Sequence, residues 1–403
     1  MKTAALSLGL GAALLALTPA CHIRFNTSSS FMTTGGYRFD RQGDEAQNHQ
    51  TGELPAGATR FEIDHRFGKV EIQASSDTGN YGWEWELHTW ADTKEEAEEF
   101  LGLIELRVEP QGETARFELV IPEPSDAKRL RGLDSRLTLR VPDPSQAKVE
   151  NSFGPTRIEG IQGKVETRCA HGSLELKRLP GEMDVSTSFG NLNGEEVGGG
   201  VFRNQHGRVH LNHVSGSVDV SSSFSSMSVH HVDGDAKLRN KHGGLDATHI
   251  QGWIDAKTSF STLKVEGVQG KAELINQHGG IRADDLQGPV TARTSFGSLK
   301  LTTAGDKVEV KNQHGSVDLK VLNAAARRVS AETTFGSLDV WMPPETQGWV
   351  DARTSFGKVS SFMPIYESEK NGSRHHIQGG HRGADLEITL RNSHGSIRLQ
   401  EGH

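Results

Sequence analysis

Residues 272–297 read AELINQHGGIRADDLQGPVTARTSFG, and this stretch contains both markers of a repeat that runs through much of the chain. His278 and Phe296 lie 18 residues apart, and each stands before a glycine. Outward from here Phe and His keep alternating, with Phe-to-Phe steps of 36, 35, 36 and 36. A fixed period of this kind predicts stacked units, each burying its apolar face on its neighbours. We call these positions the aromatic column: Phe153, His171, Phe189, His206, Phe224, His242, Phe260, His278, Phe296 and His314.

The second marker is an aliphatic residue followed two positions later by glycine. It has the same period of 18, so each unit has two corners. Glycine suits both corners because corners often need a positive φ. Short alternating runs between the corners, such as residues 307–310, predict strands. The glycines of the second marker are Gly216, Gly234, Gly252, Gly270 and Gly288.

These markers predict an all-β fold. It is a single-stranded parallel β-helix, or β-solenoid, with about 18 residues per coil, preceded by a small β-rich cap with one helix. Successive coils would stack about 4.8 Å apart. A β-propeller with four-stranded blades of 36 residues is the alternative. Both halves of the 36-residue unit carry the same corner pattern, which favours the solenoid.

Strand alternation assigns the faces of each coil. Val308, Val310, Asn312 and His314 share one face, and the valines make that face the inner one. We therefore expect the aromatic column to form an interior stack, in which Asn or Thr two positions earlier satisfies the His ring nitrogens. On this assignment His242→Phe should be tolerated, whereas an aspartate at that position would bury a charge.

The N-terminus reads as an export signal. Residues 1–20 combine a positive Lys2 with an apolar stretch too short to span a bilayer. The small residues before Cys21 resemble a bacterial lipoprotein cleavage box, in which Cys21 becomes the lipidated N-terminus. Ordinary signal cleavage is the alternative. Lipidation would anchor the chain to a membrane as an outer-membrane or periplasmic lipoprotein, or at the cell surface.

The rest of the chain divides by pattern. Residues 21–58 lack sustained periodicity and read as a flexible tether. Residues 59–145 read as the β-rich cap, whose helix begins at Thr93 with Glu96 completing a capping box. Residues 146–403 read as the solenoid, which ends in irregular coils.

Composition excludes several functional classes. The net charge of −8 is modest and no basic block suggests nucleic acid. Cys21 and Cys169 provide no disulfide framework, and Cys169 occupies the inner Asn/Thr position, so we expect a small buried residue. The chain has no phosphate-binding glycine loop, HExxH motif or nucleophile elbow, and no cofactor is predicted.

Histidines are the first candidates for a metal site. In the aromatic column, His residues on alternate coils would lie about 9.6 Å apart, too far to share one ion. His230 and His231 are adjacent on a strand and point to opposite faces. The His-rich insert at residues 373–383 is a better candidate because a loop could gather its side chains, yet a solvated polar loop is favoured. Its histidines are His375, His376 and His381.

Paired carboxylates are the candidates for catalysis. Glycoside hydrolysis needs two carboxyl groups that face each other. Asp233 and Asp235 form one pair, and Asp284 and Asp285 form another. Asp233 and Asp235 flank a recurring corner glycine, which explains them without catalysis.

Several motifs together resemble a bacterial family of putative adhesins of unknown function. They are the run ending in Pro142, the repeated Thr-x-Phe/His-Gly-x-Leu, the Met342-Pro343 break and the terminal residues 395–397. The resemblance covers roughly residues 59–400. It implies an extracytoplasmic β-solenoid and brings no catalytic residues.

We therefore expect a non-enzymatic cell-envelope β-solenoid, an adhesin-like or scaffolding surface protein. Its partner would be a glycan or another envelope protein. Two alternatives stay open: a carbohydrate-binding or carbohydrate-active β-helix protein, and a periplasmic partner of an envelope regulatory system.

Overall fold

The computed structural model describes residues 32–34, 37–75 and 81–402. The predicted export signal and the predicted lipidation site, Cys21, lie outside these residues. The described chain is all-β apart from one helix, α1 (Lys94–Leu103). The strands before the regular coils are β1 (Met32–Thr34), β2 (Tyr37–Phe39), β3 (Asp44–Gly52), β4 (Arg60–Ser75), β5 (Gly82–Ala91), β6 (Glu105–Gln111), β7 (Thr114–Val120) and β8 (Leu130–Pro142).

From β9 to β32 each coil contributes two strands, one to each of two parallel sheets. The odd-numbered strands form the first sheet and the even-numbered strands the second. These strands are β9 (Gln146–Phe153), β10 (Thr156–Glu159), β11 (Val165–His171), β12 (Leu174–Leu179), β13 (Met183–Phe189), β14 (Leu192–Val197), β15 (Gly200–His206), β16 (Val209–Val214), β17 (Val218–Phe224), β18 (Met227–Val232), β19 (Ala236–His242), β20 (Leu245–Ile250), β21 (Ile254–Phe260), β22 (Leu263–Val268), β23 (Ala272–His278), β24 (Ile281–Leu286), β25 (Val290–Phe296), β26 (Leu299–Thr303), β27 (Lys307–His314), β28 (Val317–Val321), β29 (Arg328–Phe335), β30 (Leu338–Met342), β31 (Gly348–Phe356) and β32 (Val359–Ser361). The last strands are β33 (Ile365–Asn371), β34 (Arg374–Gly380), β35 (Leu386–His394) and β36 (Ile397–Glu401).

The register confirms the predicted parallel solenoid of about 18 residues per coil. In the first sheet Val165 pairs with Met183, and in the second Leu174 pairs with Leu192. Aliphatic side chains alternate inward along both strands of each coil and are buried between the sheets. Burial of apolar side chains between the two sheets is what stabilises the stack.

The chain divides into two compact units. The smaller takes in the described residues up to Asn48 together with Leu87–Glu105 and Ile121–Asp134. It contains α1, whose Thr93 Oγ1 accepts a hydrogen bond from the Glu96 amide at 3.3 Å, which confirms the predicted N-cap. The second half of the predicted capping box is wrong. The Glu96 carboxylate accepts a hydrogen bond from the Arg129 guanidinium at 2.6 Å.

The larger unit comprises His49–Glu86, Leu106–Val120 and Ser135–His403. Solenoid pairing therefore begins before residue 146, and the predicted boundary there is wrong. The first half of β4 lies between β7 and β9, and its second half lies between β8 and β10. The reason is that β4 has the inward pattern of a coil, with Phe67 in register with Phe153.

The predicted tether is also wrong over part of its length, because β1, β2 and β3 fall within residues 21–58. The sequence of β3, DEAQNHQTG, is polar, and Ala46 is its one buried residue. A strand of this kind is held by backbone hydrogen bonds and has no apolar alternation to reveal it.

The C-terminal coils stack out of chain order. Strand β35 lies between β29 and β31, so that Glu387 pairs with both Arg328 and Trp349. Strand β36 lies likewise between β30 and β32. The loss of regular spacing begins before this insertion, since Phe335 follows His314 by 21 residues although β27 and β29 are adjacent.

The His-rich insert is not a loop, so that prediction is wrong. Residues 374–380 form β34, which pairs antiparallel with both β31 and β33. The sequence RHHIQGG alternates buried and partly exposed side chains as an ordinary strand does. The hairpin thus extends the first sheet.

Glycine serves the two corners for different reasons. Gly207, after His206, has φ +135°, as the sequence predicts. Gly270 of the second marker has no left-handed φ. It is needed because a Cβ there would lie 2.6 Å from the Gly252 carbonyl oxygen of the preceding coil. The left-handed position of this second corner comes earlier, at His213, His231 and their equivalents.

Candidate functional site

The aromatic column lies on the outside of the solenoid, so its predicted inward position is wrong. From Phe189 to His314 all of its rings are exposed, and Phe153 and His171 are half-buried. Phe224 is 47% exposed and Phe260 is 44% exposed. Strand alternation ends at the buried Asn or Thr, because the chain starts to turn there. The next side chain and the ring both face outward.

The rings form one continuous stack. Neighbouring ring centroids within the column lie between 4.7 Å (Phe189–His206) and 5.3 Å (His278–Phe296), and their planes are nearly parallel. The stack continues at one end through Phe67. At the other end it runs through Phe335, His394 and Phe356, in that spatial order. Each inner ring therefore has both faces covered and turns its edge to solvent.

The Asn/Thr residues two positions earlier hold the corner beneath the rings. Asn204 Nδ2 donates to the carbonyl oxygens of Gly190 and Gly207, both at 3.1 Å. Thr258 Oγ1 lies 3.1 Å from the carbonyl oxygens of Gly243 and Phe260. These side chains bind backbone carbonyls and not the His ring nitrogens, which corrects the predicted role. They fix the turns from which His206 and Phe260 project.

Exposure changes what is expected at His242, which stacks on Phe224 and Phe260 at 5.0 Å each. Both His242→Ser and His242→Asp should lower the free energy of unfolding by about 1–2 kcal/mol, because each removes two ring contacts and leaves a solvated side chain. The two variants should agree within about 0.5 kcal/mol in urea unfolding.

The matched comparison is Asn240→Asp, two residues earlier. Asn240 is 3% exposed, and its Nδ2 donates to the carbonyl oxygens of Ser225 and Gly244 at 2.9 and 3.2 Å. A carboxylate there would face two acceptors without a proton to share, so a loss of about 3 kcal/mol is expected. If His242→Asp destabilised as strongly as Asn240→Asp, the exposed position of the column would be refuted.

The histidines of the insert are not brought together. His375 is 8% exposed, and its Nδ1 accepts the Val359 amide at 2.9 Å. His376 Nε2 lies 2.8 Å from Asp351 Oδ1. The pKa of Asp351 is lowered, chiefly by a hydrogen bond from Arg391. His375 and His376 thus have separate structural partners.

Three of the four candidate carboxylates, those of Asp235, Asp284 and Asp285, are engaged in local contacts. Asp235 Oδ1 accepts the Trp253 amide at 2.9 Å, and Asp284 accepts from Thr302 Oγ1 at 2.9 Å. Asp285 accepts from Gln287 at 2.6 Å. Asp233 lies in a groove of about 420 Å³ that His213 and His231 also line. Asp235, Asp284 and Asp285 thus each have a local structural partner.

Two groups of His residues in the structure were not identified from the sequence. His213, His231 and His249 stack in pairs at 4.7 Å at the second corner, where each has a φ of 54° to 57°. Their 18-residue spacing was the available signal. A second group, His49 with Glu84 and Glu86, presents three metal-ligand atoms within 4.8 Å of one another, the one such cluster in the described chain.

The His49 cluster is exposed and already internally paired. His49 Nε2 lies 2.9 Å from Glu84 Oε1, and Glu86 pairs with Arg136 at 3.3 Å. Sequence reasoning missed it because 35 residues separate His49 from Glu84.

Cys169 is buried, as predicted, with 3% of its surface exposed. Its Sγ lies 3.4 Å from Thr156 Oγ1, and burial raises the pKa of the thiol to about 11. A thiol of this kind is unreactive at neutral pH.

The described residues contain no helix of the length and apolarity needed to cross a membrane.

Comparison with known proteins finds a family that part of the chain is similar to. Residues 254–400 match the model of the Toastrack DUF4097 family, and over this segment the match confirms the family resemblance that the motifs indicated. No curated protein matches the sequence.

Two solved structures are similar to the chain. One is a putative cell adhesion protein from Clostridium sporogenes ATCC 15579, 9% identical, covering 89% of this chain and 100% of its own, with a TM-score of 0.23. The other is a putative adhesin from Bacteroides fragilis NCTC 9343, 11% identical, covering 88% of this chain and 97% of its own, with a TM-score of 0.19. At these TM-scores the likeness carries no argument about function.

Proposed function

We propose that this protein is a non-enzymatic, adhesin-like protein of the cell envelope, and that the aromatic column is its contact surface. The observation that carries the proposal is the unbroken row of exposed Phe and His rings along one corner of the solenoid. Exposed patches with large apolar side chains, such as the Phe rings of this row, mark interaction sites.

The rest of the larger unit supports a binding role over a catalytic one. The carboxylates that could have paired for hydrolysis, such as Asp235 and Asp284, hold backbone amides and hydroxyls. The ring positions are set by buried hydrogen bonds under every second coil, for example those of Asn276 and Asn312. A rigid, preorganised surface loses little conformational entropy on binding. The predicted export signal and the predicted lipidation at Cys21 support an envelope location.

Retention of the purified protein on isolated cell envelopes of its own bacterium tests this function. The wild-type protein should be retained. The triple variant Phe224→Ser, Phe260→Ser and Phe296→Ser should lose at least five-fold in retention, because the centre of the apolar row is removed.

The control variant removes equally exposed apolar side chains elsewhere in the larger unit: Trp253→Ser, Leu322→Ser and Ile365→Ser. It should be retained like the wild type, and thermal unfolding should show that both variants fold. Equal retention of the two variants would show that the aromatic column is not the contact surface. Failure of the wild-type protein to be retained would reject the adhesin-like function.

A further inference from the structure

The aromatic column repeats every two coils and not every coil. Phe and His alternate in space along it, so identical rings recur about every 9.6 Å, twice the spacing of adjacent strands. The residue before each Phe of the column is Ser, whereas the residues before His are Gln205, Gln277 and Gln313 with Ala170 and Lys241. A ligand that fits one two-coil unit can therefore fit the next unit in the same way.

Stacking decides which part of each ring a ligand can touch. Because the inner rings cover one another's faces, a ligand meets their edges. A Phe edge offers only C–H groups, whereas a His edge also offers ring nitrogens that donate or accept hydrogen bonds. The solvent-facing edge of the aromatic column, which we call the strip, thus alternates an apolar contact with a hydrogen-bonding contact.

The flanks of the strip are mostly uncharged. From Phe153 to His394 no Asp or Glu stands directly before a ring, or one or two positions after it, although the chain has 52 acidic residues. The basic residues at these flanking positions are Arg208, Lys241 and Lys358. Hydroxyl and amide side chains occupy most of the others, so the strip suits an uncharged ligand rich in hydroxyl groups.

A groove of about 350 Å³ runs beside the rings across four coils. Gln277, Ser295, Gln313 and Thr334 line it together with two cations. Arg293 and Lys311 both pair with Glu309, at 3.0 and 3.3 Å, and Glu332 also lines the groove, so two carboxylates balance the two cations. The groove therefore adds hydrogen-bonding groups to the strip without adding net charge.

From this surface, and resting on the function proposed above, we infer that the aromatic column binds an extended, uncharged β-1,4-linked polysaccharide that lies along the solenoid axis. In such a chain alternate sugars are turned over, so that apolar C–H patches and hydroxyl groups also alternate. A peptide strand matches the spacing of about 9.6 Å between identical rings less well, because its own two-residue repeat is about 6.7 Å. Each two-coil unit would contribute a similar contact, so affinity should grow with the length of the saccharide.

Binding of β-1,4-linked gluco-, manno- and N-acetylglucosamine oligosaccharides to the full chain tests the inference by calorimetry. At least one series should bind, with affinity rising ten-fold or more between the trimer and the hexamer. The double variant Phe224→Ala and Phe260→Ala should weaken that binding at least ten-fold. Polygalacturonate, which is anionic, should bind at least ten-fold more weakly.

The matched control is Trp253→Ala with Leu322→Ala, which should bind as the wild type does. Binding by none of the three series, or binding that the Phe224 and Phe260 substitutions leave unchanged, would overturn the inference. If envelope retention still required the Phe residues in that case, the adhesin-like function would stand and its partner would be a protein. Loss of envelope retention with oligosaccharide binding intact would reject the function and keep the binding site.

Discussion

Gly207→Ala is expected to lower the free energy of unfolding of the solenoid by about 3 kcal/mol. Gly207 has φ +135°, a region that side chains rarely adopt, and a Cβ there would lie 2.0 Å from the Gly190 carbonyl oxygen. The substitution should also disturb the neighbouring coil, since Asn204 binds the carbonyls of both glycines. Urea unfolding and hydrogen exchange around residues 190–207 would measure the global and local effects.

The natural counterpart of this substitution is Ser225, which occupies the equivalent corner with φ +105°. Ser225→Gly should raise the free energy of unfolding by about 1 kcal/mol, because it relieves the strain of a side chain in that conformation. Changes in unfolding free energy of opposite sign for Gly207→Ala and Ser225→Gly would establish backbone conformation as the cause. A neutral Gly207→Ala would contradict the geometry of the corner.

The second large effect is a loss of stability in mild acid through His65. This side chain is 1% exposed, with Nε2 2.9 Å from Ser135 Oγ, and Ser135 Oγ in turn accepts from Trp85 Nε1 at 2.8 Å. Burial lowers the pKa of His65 to about 4. The unfolded chain therefore binds a proton at a higher pH than the folded chain does.

The stabilisation from neutral His65 should be fully present above about pH 6.5 and should disappear as the pH falls to about 4. The expected loss is about 3 kcal/mol. His65→Gln keeps a neutral polar group beside Ser135 and cannot titrate. The difference in unfolding free energy between wild type and His65→Gln, followed from pH 7 to pH 4, isolates the His65 contribution from that of the carboxylates. Parallel pH profiles of the unfolding free energy for the two proteins would disprove this contribution of His65.

The period of the repeat was enough to predict the solenoid, because coils that stack in register must repeat their inward side chains. It was not enough to orient the aromatic column. Alternation holds through Val308, Val310 and Asn312, and then the chain turns, so His314 faces outward. No pattern in the amino-acid sequence marks the residue at which the alternation of inward and outward side chains stops. The hydrogen bonds of the Asn side chain to corner carbonyls show it only in three dimensions.

The spatial order of the C-terminal coils could not be predicted from the sequence either. The spacings of Phe335, Phe356 and His394 leave the order of their coils open, and only the pairing of β35 with both β29 and β31 settles it. The stack at His213, His231 and His249 could have been found from its period. Non-glycine residues at positive φ are uncommon, which made a left-handed corner at these positions unexpected.

The insertion of β35 has a consequence for synthesis of the chain. A ribosome releases β29 and β31 before it has made the strand that belongs between them. The coils up to β29 can stack as they emerge, whereas β31, β33 and β34 have no final place until residues 386–394 arrive. Until then β29 presents an open strand edge to its surroundings. Maturation of the solenoid thus waits for one late segment, and a chain cut before that segment would keep an adhesive edge.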